Sequence, residues 1–266
     1  MTIAGGMVCE DGILVYADTE WTASTLKVQR GKHWFLGGNK RLKCVIAGAG
    51  EEDHLRLAIQ NFWTVLLKAD QDKLRTNDVH EALQQAINSV YNQHIYPDPR
   101  GDQKEFGIIM GVSTPDDPPL LFKTSGTAIL LSDSYEYVYL GSGSEMAMYL
   151  SSRLDVRGVP TSVGEYLAAF ILWEVKQHVQ TCGGNSVIYR LLKDGRLRYR
   201  GEGDMLDVED YFASIDRKVQ RIRVHAANLE QSEEQFEKKL AEFADGLRTL
   251  RKARLVKLEA EKNLTS

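Results

Sequence analysis

The sequence lacks the features that mark several large functional classes. Its three cysteines, Cys9, Cys44 and Cys182, form no C-x-x-C pair in 266 residues. An odd count at such spacing argues against a disulfide scaffold and fits the reducing cytoplasm. No basic segment followed by an apolar run opens the chain, so no secretion signal is read. The most apolar helical stretch, around Tyr166 to Val175, falls short of the roughly 20 residues that cross a bilayer, so no membrane is expected. A formal net charge of -4 gives no basic excess to attract nucleic acid. The six histidines show no metal-ligand spacing. Gly141-Ser142-Gly143-Ser144 lacks the lysine and the spacing of a phosphate loop. Neither a metal nor another cofactor is expected. With 43% hydrophobic residues the chain is long enough for one full core and a small appendage.

Periodicity then orders the chain. Two β-type runs, residues 2–9 and 13–18, flank Glu10-Asp11-Gly12, and Asp-Gly between such runs predicts a hairpin. Strands are predicted at 33–36 and 42–47, with a turn at Gly37-Gly38-Asn39 between them. Residues 51–69 carry Leu55, Ile59, Phe62, Val65 and Leu66 on one helical face. A second helix, capped at Asn77-Asp78, carries Ala82, Leu83, Ala86, Ile87, Val90 and Tyr91. Strands follow at 106–113, 120–124, 128–131 and 135–140. Further helices run through Met146, Met148 and Leu150 and from Thr161-Ser162 to about Gln180. Two more strands, 186–192 and 196–200, are turned by Lys193-Asp194-Gly195.

The character changes near residue 204. From Ile215, the positions Val219, Ile222, Ala226, Leu229, Phe236, Leu240, Phe243, Leu247 and Leu250 repeat at steps of three and four, the seam of one long helix that folds back or pairs with another chain. The expected organisation is a domain over 1–203 and a helical extension over 204–266. Strands, two helices, strands, two helices and strands fit an α+β fold in which each of two antiparallel sheets buries one face on the other and one under helices, a four-layer αββα sandwich with a long C-terminal helix.

The stretches TIAGGMVCEDGILVYADTEWT, VIAGAG, YLGSGSEMA and CGGNSVIYRLLKDG stand in the order and spacing of a proteasome β-type subunit. The chain thus resembles the proteasome and HslV branch of the N-terminal nucleophile hydrolases, with its bacterial proteasome-like relatives, over about residues 2–201. The resemblance implies a threonine peptidase whose nucleophile, Thr2, is exposed by removal of Met1. It implies catalytic roles for Asp18 and for a lysine, with Lys32 the better match and Lys27 the second. It further implies an oxyanion donor at the Gly48 N–H, and Ser142 as a partner of the terminal amine. Trp21, Thr22, Ile46 and Gly50 are the implied substrate-binding positions. A peptide or unfolded-protein substrate and a homo-oligomer, in a ring or a helical array, follow from the same source.

The chemistry also follows from the groups themselves. A hydroxyl needs an adjacent base to become a nucleophile at neutral pH. An α-amine, with a pKa of roughly 7.7–8.0, can take that proton and return it to the leaving amine. A lysine ammonium favours the alkoxide as it forms, and an aspartate holds the lysine charged. The sequence departs from the family at Val179, Cys182 and Glu20, where the family has an aspartate, a serine and often an arginine. These departures alter the hydrogen bonding around the amine and open a second expectation, a catalytically silent subunit. An N-terminal nucleophile amidase acting on a small molecule is a third.

Overall fold

The computed structural model describes residues 2–23, 26–36, 42–69, 74–99, 105–114, 117–132 and 136–264. Met1 and the turn expected at residues 37–39 lie outside them. The fold is mixed α/β with antiparallel sheets. The chain divides into two compact units, Met1–Met205 and Leu206–Ser266.

The first unit opens with β1 (Ala4–Cys9) and β2 (Gly12–Asp18) as an antiparallel hairpin in which Cys9 pairs with Gly12. The turn residues are therefore Glu10 and Asp11, one position earlier than the Asp-Gly pair predicted. Gly12 already lies in the strand, where the carbonyl of Leu191 comes so close that any Cβ would collide with it. A short hairpin, β3 (Glu20–Ala23) with β4 (Leu26–Gln29), stands apart as its own two-stranded sheet. Next come β5 (His33–Leu36), β6 (Lys43–Gly50), α1 (Glu52–Lys68) and α2 (Thr76–Val90), the last continued by a π-helical turn over Tyr91–Ile95. The Glu51 side chain caps α1 by accepting from the His54 N–H at 2.9 Å. The strands β7 (Phe106–Ser113), β8 (Leu120–Ser125), β9 (Ala128–Leu131) and β10 (Tyr137–Leu140) follow, then α3 (Ser144–Leu154), α4 (Thr161–His178), β11 (Ser186–Leu192) and β12 (Leu197–Arg200).

The strands form two five-stranded sheets, in the orders β10-β1-β2-β11-β12 and β5-β6-β7-β8-β9. Ile13, Val15 and Ala17 of the first meet Val45, Ala47, Ile109 and Leu121 of the second in one buried cluster. The alternate residues of β6 and β7, Cys44, Ile46, Ile108, Met110 and Val112, pack with Leu55, Phe62, Val79 and Leu83 of α1 and α2. On the outer face of the first sheet, Leu14, Met7 and Cys9 crowd Gly164 of α4. There the Tyr16 hydroxyl donates to Tyr139 at 2.9 Å, and Tyr139 bonds Ser151 of α3 at 2.5 Å. Every residue of β2 is buried, so it reads as a continuous apolar run rather than an alternation. Each fully buried aliphatic or aromatic side chain contributes roughly 1.5–3 kcal/mol.

Within the second unit, the predicted single long helix is two. The helix α5 (Glu202–Ala227), which begins in the first unit, ends before Asn228, and α6 spans Glu233–Leu264. Ser232 and Gln235 form a reciprocal capping pair that starts α6, each side chain accepting from the other's backbone N–H at 3.4 Å. Leu229, a seam position in the sequence, lies in the connection and is 93% exposed. Lys257 pairs with Asp207 at 3.0 Å, and Lys218 lies against Gly246, so α6 returns antiparallel along α5. Among the described residues, no helix is long and apolar enough to cross a membrane.

Candidate active site

Asp18, the last residue of β2, has a carboxylate with no solvent exposure, and four donors converge on it. The Thr2 hydroxyl donates to its Oδ1. The Lys32 ammonium meets the same oxygen at 2.8 Å, and the Ile3 N–H reaches it at 3.3 Å. On Oδ2 the Gly183 N–H donates at 3.0 Å. A buried carboxylate is tolerated only when paired and hydrogen-bonded, and this one is both. Three segments far apart in sequence, residues 2–3, 32 and 183, are thus tied to one side chain. Of the two candidate lysines, Lys32 brings its ammonium to Asp18, and the side chain of Lys27 lies outside the described part of the structure. The Lys27 backbone pairs with Thr22 in the β3–β4 hairpin.

Lys32 is itself fully buried. Its ammonium also donates to the Glu20 carbonyl and lies 5.3 Å from the centre of the Trp21 ring. Burial pulls its pKa below the ordinary lysine value, opposed chiefly by the charge and hydrogen bond of Asp18 and more weakly by the charge of Glu20. The Glu20 carboxylate fills the space beside Gly183, where a Cβ would come within 2.7 Å of it. An acidic group therefore borders the lysine at the position where the resemblance leads one to expect an arginine.

Thr2 is only 1% exposed. Its carbonyl is wrapped by the loop before α3. The Gly143 N–H donates to it at 3.3 Å, and Gly141, at φ +91, leaves no room there for a side chain. Ser142 lies in the same loop, but its hydroxyl bonds Thr181 at 2.6 Å and approaches the Cys182 sulfur at 3.7 Å. Burial and the Asp18 charge raise the Cys182 pKa, which keeps the thiol neutral. His178, next to Val179, points away to Glu174, 3.3 Å distant.

Two expected roles meet a different geometry. The Gly48 N–H donates to the Lys32 carbonyl at 3.0 Å, continuing the β5–β6 ladder by one residue, so this donor is engaged within the protein. Trp21 and Ile46 belong to the buried cluster packed under α1 and α2 rather than to an open surface. Gly50 ends β6 at φ +104, and Thr22 lies in β3. The Gly183 N–H was not singled out by the sequence reading. The Gly-Gly pair after α4 is its one sequence signal. Among the described residues, no group of three or more metal-ligating side chains comes together.

No family model matches the chain, and no curated protein matches it. Solved structures do. A Gly-1 mutant of Anbu from Hyphomicrobium sp. strain MC1 is 13% identical, with a TM-score of 0.68 over 83% of this chain and 98% of that one. Anbu, an ancestral beta-subunit, from Yersinia bercovieri is 11% identical, with a TM-score of 0.69 over 85% and 96% of the two chains. The Anbu complex of Pseudomonas aeruginosa, described as a helical assembly, is 11% identical at a TM-score of 0.66, covering 82% and 96%. These likenesses correct the resemblance to the proteasome β-subunits and HslV, since these three structures belong to Anbu, a proteasome-like but distinct family. At such identities they show a shared fold.

Proposed function

We propose that the protein is a threonine-type peptidase of the N-terminal nucleophile kind, acting in the cytoplasm on peptides or unfolded chains as a subunit of a homo-oligomer. The observation that carries the reading is the meeting of the Thr2 hydroxyl and the Lys32 ammonium on one buried carboxylate, Asp18. Two facing sheets with α1 and α2 packed on one and α3 and α4 near the other support a four-layer αββα sandwich. Residues 1–203 form the hydrolase domain and 204–266 an extension for assembly. The helical assembly described for the Pseudomonas aeruginosa Anbu complex supports the oligomer.

In this reaction Met1 is first removed, which frees the Thr2 amine. That amine takes the Oγ proton while Oγ attacks the substrate carbonyl carbon. The C–N bond breaks, the amine returns the proton to the leaving nitrogen, and water hydrolyses the ester. Lys32 favours the developing alkoxide, and Asp18 holds Lys32. For the Gly48 N–H to meet the oxyanion, the substrate oxygen must replace or share the Lys32 carbonyl as acceptor. The test is the mass of Thr2 after Met1-free protein is treated with an electrophilic peptide inhibitor. An adduct on Thr2 supports the reading, and its absence refutes it.

A second reading, a silent assembly subunit, draws on the engaged Gly48 N–H and the burial of Thr2. It predicts no adduct in the same experiment. Cleavage profiles against peptides of graded length separate a peptidase from an amidase of small molecules.

A further inference from the structure

Asp18 is held from a side that the proposed chemistry does not touch. The loop after α4 presents the Gly183 N–H to Asp18 Oδ2, and its shape is set at the next two residues. Gly184 takes φ +71, a left-handed conformation that other residues rarely adopt. Asn185 is locked to Thr19, its N–H donating to the Thr19 hydroxyl and its carbonyl accepting from the Thr19 N–H, both at 2.9 Å. Between these points Lys176, in the last turn of α4, reaches across. Its ammonium donates to the Gly184 carbonyl at 3.1 Å and to the Ser186 hydroxyl at 3.0 Å. Ser186 is the residue directly opposite Asp18 in the β2–β11 ladder.

We infer that Lys176 is a positioning residue, clamping the Gly183–Asn185 loop so that the Gly183 N–H stays aimed at Asp18. The Gly183 N–H and the Gly184 carbonyl belong to peptide units with one planar peptide, 183–184, between them. Holding the Gly184 carbonyl on Lys176 and Asn185 on Thr19 therefore anchors the far end of this short segment and narrows the rotations open to the Gly183 N–H. With Oδ2 fixed by Gly183, Oδ1 is left in the orientation that receives Lys32 and Thr2. Lys176 is linked to the nucleophile through three successive hydrogen bonds, to the Gly184 carbonyl, from Gly183 to Asp18 and from Thr2 to Asp18, and touches no reacting atom. The inference rests on the proposed role of Thr2 only for its kinetic consequence.

The test has two readouts on Lys176→Met and Lys176→Arg. The first, on the unprocessed full chain, is hydrogen exchange of the Gly183 amide by NMR. Loss of the clamp speeds that exchange by about tenfold or more in Lys176→Met, while Lys176→Arg, which keeps donors in place, stays near the parent. The second, on Met1-free protein, is the acylation of Thr2 by a peptide electrophile. The maximal rate falls about tenfold in Lys176→Met with the inhibitor's binding constant unchanged. Gly183 exchange at the parent rate in a folded Lys176→Met overturns the clamp. Faster exchange with an unchanged acylation rate overturns the positioning role. If the parent itself is not acylated, the proposed function fails while the exchange measurement still decides the clamp. Should Lys176→Met not fold, Ser186→Ala removes one of the two acceptors and is expected to give a smaller change in the same exchange rate.

Discussion

The ammonium of Lys32 and the carboxylate of Asp18 lie 2.8 Å apart with neither side chain exposed. Removing one partner strands the other as a buried unpaired charge, at a cost of about 3–5 kcal/mol, whereas replacing both leaves no such charge. Lys32→Met and Asp18→Asn are each expected to lower the urea midpoint strongly. The double variant is expected to be more stable than the sum of the two losses. A double-mutant cycle measures the difference, and strict additivity would show that the pair does not act as one.

The first unit was legible where a pattern was strong. Helical spacing located α1, α2 and α4, and alternating or continuous apolar runs located the strands of both sheets. The start of α4 was less legible, because its cap comes from a distant residue. Thr161 starts α4 as the spacing predicts, but its N–H and hydroxyl donate to Asp11 of the β1–β2 turn at 2.6 and 3.1 Å, a cap that no local pattern announces. In the tail, Leu229 continues the three-and-four rhythm across the break between α5 and α6, which hydrogen bonding decides. The Ser232-Glu233-Glu234-Gln235 capping pattern was the available signal. In the site, spacing alone offered Lys32 and Lys27 and could not foresee that the Lys32 ammonium reaches Asp18. Nor could it foresee that the Lys32 carbonyl occupies the Gly48 N–H, since that bond depends on where β5 begins.

Asp11 gives the next prediction. It satisfies the first turn of a helix 150 residues away in sequence, so Asp11→Ala removes the N-terminal cap of α4. The expected loss is about 1 kcal/mol in denaturant unfolding, with the slope unchanged. Asp11→Asn, which keeps an acceptor, is expected to recover most of it.

In the second unit Gly246 lies inside α6, where glycine costs backbone entropy. A Cβ there would meet only the flexible end of Lys218, which can move aside. Gly246→Ala is therefore expected to stabilise the helical hairpin by about 0.5–1 kcal/mol. Circular dichroism melts of the full chain would show it as an upward shift, and a downward shift would mean that Lys218 cannot yield.

Burial pushes the Cys9 thiol up to about 12, from an ordinary value of 9.0. Cys44 and Cys182 are raised by burial as well. All three stay neutral at pH 8, and the thiolate is the reactive form. Iodoacetamide at pH 8 is expected to leave the native chain unmodified and to label three sites after unfolding. The same shift has a consequence for stability. The unfolded Cys9 loses its proton above pH 9 while the folded one keeps it, so the stability it contributes is present below pH 9 and is lost as pH rises toward about 12. Cys9→Ala is expected to flatten that part of the alkaline unfolding curve.

Glu20 supplies the last prediction, because it sets the charge around Lys32 that the proposed reaction uses. Burial lowers the Lys32 pKa, and the carboxylates of Asp18 and Glu20 oppose the shift. Glu20→Gln removes one opposing charge at nearly constant shape, so the Lys32 pKa falls further. If the ammonium is the form that favours the Thr2 alkoxide, acylation declines as pH rises through that pKa. The alkaline limb of the pH–rate profile in Glu20→Gln is therefore expected at lower pH than in the parent. An alkaline limb that moves upward, or does not move while the variant stays folded, would separate Lys32 from the acylation step and leave its pairing with Asp18 as a purely structural bond.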